Sequence, residues 1–151
     1  MPIATKSEKI DLSSEKQTEE FAIRFLKKIK PKDIILIYGE MGVGKTTFVK
    51  YVINGLQKEN NQIITEVTSP TFNILNEYQI KEIKINHYDL FRLKSKDELK
   101  DLNLFDEKSD TITLIEWPQI IIEKPKQSIE LNFEYEKNYQ KRSVQVKGLG
   151  F

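Results

Sequence analysis

The spacing of apolar and polar positions changes character several times along this chain. KIDLSS, residues 9–14, predicts a short strand that ends in two serines, and Ser14 with Gln17 has the spacing of a capping box at a helix start. Phe21, Ala22, Phe25, Leu26 and Ile29 then recur at helical intervals, predicting an amphipathic helix that stops before Pro31. DIILIYG, residues 33–39, is a continuous apolar run and predicts a central strand buried on both faces. A second helical stripe follows at Phe48, Val49, Val52, Ile53 and Leu56 and ends in polar KENN.

Strand-like periods return in TFNILNEYQI and KEIKINHYDL, two segments expected to pair across a charged turn. SKDELKDLNLFDE predicts a helix capped by Ser95, TITLIEW another buried strand, and PQIIIEKP a short amphipathic piece closed by Pro125. The last quarter alternates at Ile129, Leu131, Phe133 and Tyr135, then at Val144 and Val146 across a polar loop, which predicts a β-hairpin. The expected fold is therefore α/β: a mostly parallel central sheet flanked by helices, with an antiparallel component and a C-terminal β-hairpin.

Composition narrows the function classes. A chain of 151 residues with 38% hydrophobic and 31% charged side chains suits a single domain spanning 1–151. Its 24 basic and 23 acidic residues give a net charge of +1, so no overall field draws it to nucleic acid or membrane. There is no cysteine, which excludes disulfides, thiolate nucleophiles and cysteine metal sites together. No apolar run has the length of a membrane span and the opening lacks a signal-peptide core, so a cytoplasmic location is expected.

The sharpest chemical signal is Gly39 to Thr46, GEMGVGKT, followed by Thr47. It satisfies GxxxxGK[ST] between an apolar strand and an amphipathic helix, the setting of a phosphate-binding P-loop. Glycines let successive backbone N–H groups turn inward around phosphate oxygens while the helix directs its positive end at them. In that arrangement Lys45 reaches the β and γ phosphates and the Thr46 hydroxyl holds Mg²⁺. Hydrolysis further needs an acid near the metal and groups that position water, usually at neighbouring strand ends. Glu116 ends the TITLIE strand, either as a polar terminus or as that acid. Asp89 ends HYDL, where it can serve catalysis or pair with Arg92. Ser69 and Thr71 flank Pro70, as a simple turn or as a loop that orders around the γ-phosphate. His87, the only histidine, excludes a paired-histidine metal site and reads best as a hydrogen-bonded structural residue; Trp117 reads more readily as packing than as ligand stacking.

GEMGVGKTTF, SPTF, HYDLFR and LIEWP, in this order, resemble the TsaE (YjeE) family, the small ATPases of bacterial tRNA threonylcarbamoyladenosine biosynthesis. The resemblance extends from SSEKQT to KRSVQV. It implies ATP bound at Gly39 and at Gly42, Val43, Gly44, Lys45, Thr46 and Thr47, with Mg²⁺ on Thr46 and Glu116. It implies catalytic roles for Glu116, Asp89 and Lys45, a switch-like loop at Ser69 and Thr71, Trp117 bracing the site, Glu15 near the adenine, and Arg142 approaching the nucleotide. Phe91 departs from the family pattern, which usually has tyrosine there. The implied activity is ATP hydrolysis driving a conformational switch on the TsaD and TsaB proteins, with tRNA engaged only indirectly. Two other readings share the P-loop. A small-molecule kinase needs an acceptor pocket and usually an arginine-rich lid, whereas only Arg24, Arg92 and Arg142 occur here, and a nucleotide-responsive binding module need not hydrolyse at all. No NKxD segment is present to read guanine.

Overall fold

The computed structural model describes residues 9–106 and 110–151. Seven strands form one sheet: β1 (Lys9–Asp11), β2 (Ile34–Tyr38), β3 (Leu75–Ile80), β4 (Ile83–Asp89), β5 (Thr111–Glu116), β6 (Ile129–Glu136) and β7 (Lys141–Lys147), in the order β1-β7-β6-β2-β5-β4-β3. The centre is parallel: β2 pairs with β5 and β6, and β5 with β4. The edges are antiparallel hairpins, β3 with β4 and β6 with β7, the latter extended by β1. This is the α/β sheet expected from the apolar runs.

Two helices cover one face. α1 (Glu15–Leu26) opens with the capping box, since the Ser14 hydroxyl accepts from the Gln17 backbone and the Gln17 side chain accepts from the Ser14 backbone. α2 (Lys45–Glu59) follows the glycine turn after β2. Their apolar stripes meet in an aromatic cluster of Phe21, Phe25 and Phe48, with neighbouring ring centroids 5.2–6.0 Å apart, over the inward side chains of β2, β5 and β6. On the opposite face Leu36, Tyr88, Leu90, Ile115 and Ile121 form a smaller core. Every residue of β5 is buried, in keeping with a strand covered on both sides.

Three boundaries differ from the sequence expectation. The strand expected from Thr71 starts only at Leu75, because the Ile74 amide donates back to Pro70 O at 2.7 Å and Ile74 takes a left-handed φ of 70°. The helix expected over residues 95–107 shrinks to α3 (Lys96–Lys100), capped by Ser95 as anticipated. Leu102 and Asn103 donate three residues back and Asn103 adopts φ 51°, which ends the helix, while Leu102, Leu104 and Phe105 still pack into the smaller core. Residue 107, the end of that expected helix, lies outside the described residues. PQIIIEKP keeps only one 3₁₀ turn, Pro118–Ile120. None of the described helices is long and apolar enough to cross a membrane.

Candidate functional site

Strand order places the candidate residues at one edge. β2 has β5 on one side and β6 on the other, so the chain leaves β2 at a point where connections diverge, and the crevice there lies beyond the carboxyl ends of parallel strands. β4 and β5 end in register at Asp89 and Glu116. Side chains two apart share a sheet face, so His87 and Asp89 project to the same side as Leu114 and Glu116, the side that carries α2.

The turn from β2 to α2 needs its glycines. Gly42 and Gly44 have φ of 82° and 112°, and Gly39 has φ 152°, values unfavourable to other residues. A Cβ on Gly39 would come within 2.8 Å of Val43 and 2.9 Å of Phe133, whereas one on Gly44 would meet only Arg142, at 3.8 Å. Gly39 is therefore pinned by packing, and Gly44 borders open space. α2 follows Gly44 without a side-chain cap and without an acid in its own first turn, so no side chain of the helix itself covers its positive end.

That end faces a cleft of about 330 Å³, bordered by Met41, Gly42, Gly44, Lys45, Thr46 and Thr47 from the turn and helix. Ser69, Thr71, Asp89 and Phe91 come from the β4 side, Glu116 and Trp117 from the end of β5, and Arg142 from β7. The Thr46 hydroxyl donates to the Glu116 carboxylate, with 3.1 and 3.2 Å to its two oxygens. Glu116 is 2% exposed and its Oε2 also lies 2.6 Å from His87 Nε2. Asp89, likewise buried, accepts from the Ser69 hydroxyl at 2.6 Å, the Thr71 hydroxyl at 3.4 Å and the Phe91 amide at 2.9 Å. The Ser69 to Thr71 segment is thus tied to the end of β4, and the Asp89 carboxylate is spent on that loop rather than on Arg92. The Arg92 guanidinium lies over the Phe72 ring instead.

Lys45 is buried against this cluster. Its ammonium donates to Gly39 O and sits 3.7 Å from the centre of the Trp117 ring. Burial pushes its pKa below the ordinary lysine value, against the opposing pull of the Glu116 and Asp89 carboxylates. Trp117 is turned toward the site by a left-handed backbone, φ 56°, at the start of the 3₁₀ turn, and it packs on Phe91 with ring centres 4.8 Å apart. The aromatic ring of Phe91 therefore supplies packing at this corner without a hydroxyl.

Three expected nucleotide residues stand apart from the cleft. Glu15 is exposed at the start of α1, where it accepts from the Tyr51 hydroxyl at 2.7 Å, and it does not border the cleft. Its carboxylate ties α1 to α2. Gly39 contributes a carbonyl to Lys45 from behind the turn, and Val43 buries its side chain in the core while its amide donates to Glu40 O at 3.2 Å. Conversely, the sequence reading missed the contact of His87 with Glu116. A signal for it existed: His87 and Asp89 are two apart on one strand, which puts both on one face, but the parallel pairing of β4 with β5 could not be read from spacing.

Comparison with known proteins places these features in context. The family description "Threonylcarbamoyl adenosine biosynthesis protein TsaE" matches residues 12–144. The chain is 44% identical over 110 residues, 73% of its own length and 74% of the relative's, to the tRNA threonylcarbamoyladenosine biosynthesis protein TsaE of Rickettsia bellii. It is 35% identical over 117 residues to the protein of the same name from Borreliella burgdorferi, covering 75% of this chain and 80% of that one. Among solved structures it resembles Bacillus subtilis YdiB, with a TM-score of 0.73 at 24% identity over 99% of this chain and 90% of the other, a likeness of fold.

Proposed function

The chain belongs to the TsaE family, and from that premise we propose that it serves tRNA threonylcarbamoyladenosine biosynthesis as a Mg²⁺-dependent ATPase whose nucleotide cycle acts on the TsaD and TsaB proteins. The observation that carries this reading is the direct contact of Thr46, first turn of α2, with Glu116, last residue of β5, in a cleft at the helix N-terminus.

The donor set suits the ligands. Thr46 Oγ1 and Glu116 Oε1, hard oxygens 3.1 Å apart, are the groups that would hold Mg²⁺. Gly44 leaves room that a side chain would fill, Gly42 turns the chain at φ 82°, and the uncapped start of α2 offers N–H groups to anionic oxygens. Bound Mg²⁺ would neutralise charge developing on the transferred phosphoryl group. The chain's own work is then division of labour. Lys45 would leave Gly39 O and the Trp117 ring to pair with phosphate. Arg142 approaches from the rim, and Asp89 holds the Ser69 to Thr71 loop at the cleft wall. That loop is the switch: its two hydroxyls donate to Asp89 and would exchange that partner for another when the charge in the cleft changes.

A protein partner, rather than free tRNA, fits the mouth of the cleft, where Met41 and Phe91 are 68 and 48% exposed, and the net charge of the chain is only +1. The reading is tested by titrating Mg·ATP into wild-type and Lys45→Ala protein. Loss of at least tenfold in affinity and of turnover in the variant is expected, and full retention of both would overturn the P-loop assignment.

A further inference from the structure

His87 has no role in the scheme above, yet it is completely buried and touches one of its central groups. It sits in β4 opposite Leu114 of β5, two residues before Glu116, so its ring projects diagonally onto the end of the neighbouring strand. Its Nε2 lies 2.6 Å from Glu116 Oε2, and its Nδ1 is buried without a hydrogen-bond partner among the described residues. A carboxylate oxygen accepts, so Nε2 carries the proton. An unpartnered Nδ1 is cheaper to bury as a lone pair than as an N–H donor, which favours the Nε2–H tautomer. Here the ring's single polar contact is the Glu116 carboxylate.

The consequence follows from counting the donors on Glu116. At 2% exposure its carboxylate needs compensation, and the described donors to it are two, Thr46 and His87. Thr46 Oγ1 lies nearly equidistant from the two carboxylate oxygens and does not by itself choose between them. His87 engages Oε2 alone. We propose that His87 is a positioning residue: its Nε2–H fixes the plane of the Glu116 carboxylate so that Oε1 faces Thr46 and the cation position between them. This rests on the Mg²⁺-nucleotide reading of the cleft. It also gives Glu116 a donor that stays in place when the Thr46 hydroxyl turns to a cation, so the carboxylate is oriented both before and after metal binding. Partners of this kind, which hold a ligating group from behind, typically change metal affinity by about 10- to 100-fold when removed.

The test measures ADP affinity by calorimetry with EDTA and across a Mg²⁺ titration, in wild-type, His87→Leu and His87→Gln proteins, with thermal unfolding of each. In His87→Leu, Mg²⁺ half-saturation should rise at least about tenfold while Mg²⁺-free ADP affinity stays within about twofold. His87→Gln, whose amide N–H can reach the same oxygen, should restore Mg²⁺ half-saturation to within a few-fold of wild type. A packing role would instead lower stability in both variants and shift affinity equally with and without Mg²⁺, which overturns the proposal. So does a folded His87→Leu protein with unchanged Mg²⁺ response, or a folded His87→Gln protein as impaired as His87→Leu. If His87→Leu fails to fold, His87→Gln and the wild-type imidazole decide. As the only histidine, it gives one unambiguous pair of ¹⁵N resonances: the Nε2–H tautomer, shifted by Mg²⁺ in the presence of ADP, is expected, and an Nδ1–H tautomer overturns the proposal. A wild-type protein whose ADP affinity ignores Mg²⁺ would overturn the metal reading and the role of His87 with it, whereas a Mg²⁺-responsive wild type with an equally responsive His87→Leu overturns only the latter.

Discussion

Lys45 is held at a cost to itself. Its ammonium is buried under Trp117 and supported by one carbonyl, and burial outweighs the two nearby carboxylates in setting its pKa. Lys45→Met should therefore raise the thermal midpoint of the nucleotide-free protein by a few degrees while abolishing nucleotide binding, the trade expected when a site stores unfavourable burial. The pH dependence has a definite sign. Between the depressed folded pKa and the ordinary lysine value the unfolded chain binds the extra proton, so the Lys45 contribution to stability improves as pH rises through that window. Subtracting the Lys45→Met stability curve from that of wild type isolates this term, and a difference that falls with pH would contradict it. Glu116→Gln makes the complementary prediction: Mg²⁺ dependence of ADP binding weakened at least about tenfold with Mg²⁺-free affinity retained, measured by the fluorescence of the lone tryptophan, Trp117, as Lys45 leaves its ring. At this scale the P-loop spacing marked Lys45 and Thr46 in the sequence, whereas Glu116 read equally as a strand terminus or an acid and took its role only from the family resemblance. His87 read as a hydrogen-bonded residue whose partner was not found, because that contact joins neighbouring strands 29 residues apart in sequence.

At the scale of elements, the turn between β2 and α2 is the part least able to change. Gly39→Ala would force a Cβ against Val43 and the Phe133 side chain and backbone, and should destabilise the fold by about 1–3 kcal/mol in chemical denaturation, with the phosphate turn displaced. The link between α1 and α2 has a different role from the one its position suggests. Glu15 accepts from Tyr51, which pushes the phenol up to about 12, the hydrogen bond being the leading cause. Because the folded pKa is raised, this contribution to stability is present below the ordinary tyrosine value and fades as pH rises through about 12. Tyr51→Phe should cost about 1 kcal/mol or less and leave ADP affinity unchanged. A large loss of ADP affinity would instead return Glu15 to the nucleotide. Elements with a clean period, α1, β2, α2, β5 and the C-terminal hairpin, were legible because burial dictates their pattern. α3 was overextended because Leu102, Leu104 and Phe105 continue a helix-like apolar spacing through turns, burying the same side chains without the helix.

For the whole molecule, the sheet order is what the sequence could not supply. Apolar runs announced buried strands, but which strand lies beside which is settled by long-range packing, and only that order brings the ends of β4 and β5 to the start of α2. The assembled edge has two structurally distinct parts, the glycine turn before α2 and the Ser69 to Thr71 segment hung on Asp89, to which the proposal assigns binding and response. Coupling between those parts is the core of the proposed function, and steady-state phosphate release from Mg·ATP, with and without the TsaD and TsaB pair, tests it most directly. Turnover should be slow alone, rise at least about tenfold on addition of the pair, and vanish in both conditions for Lys45→Ala. Appreciable turnover that is indifferent to the pair would contradict the coupled switch.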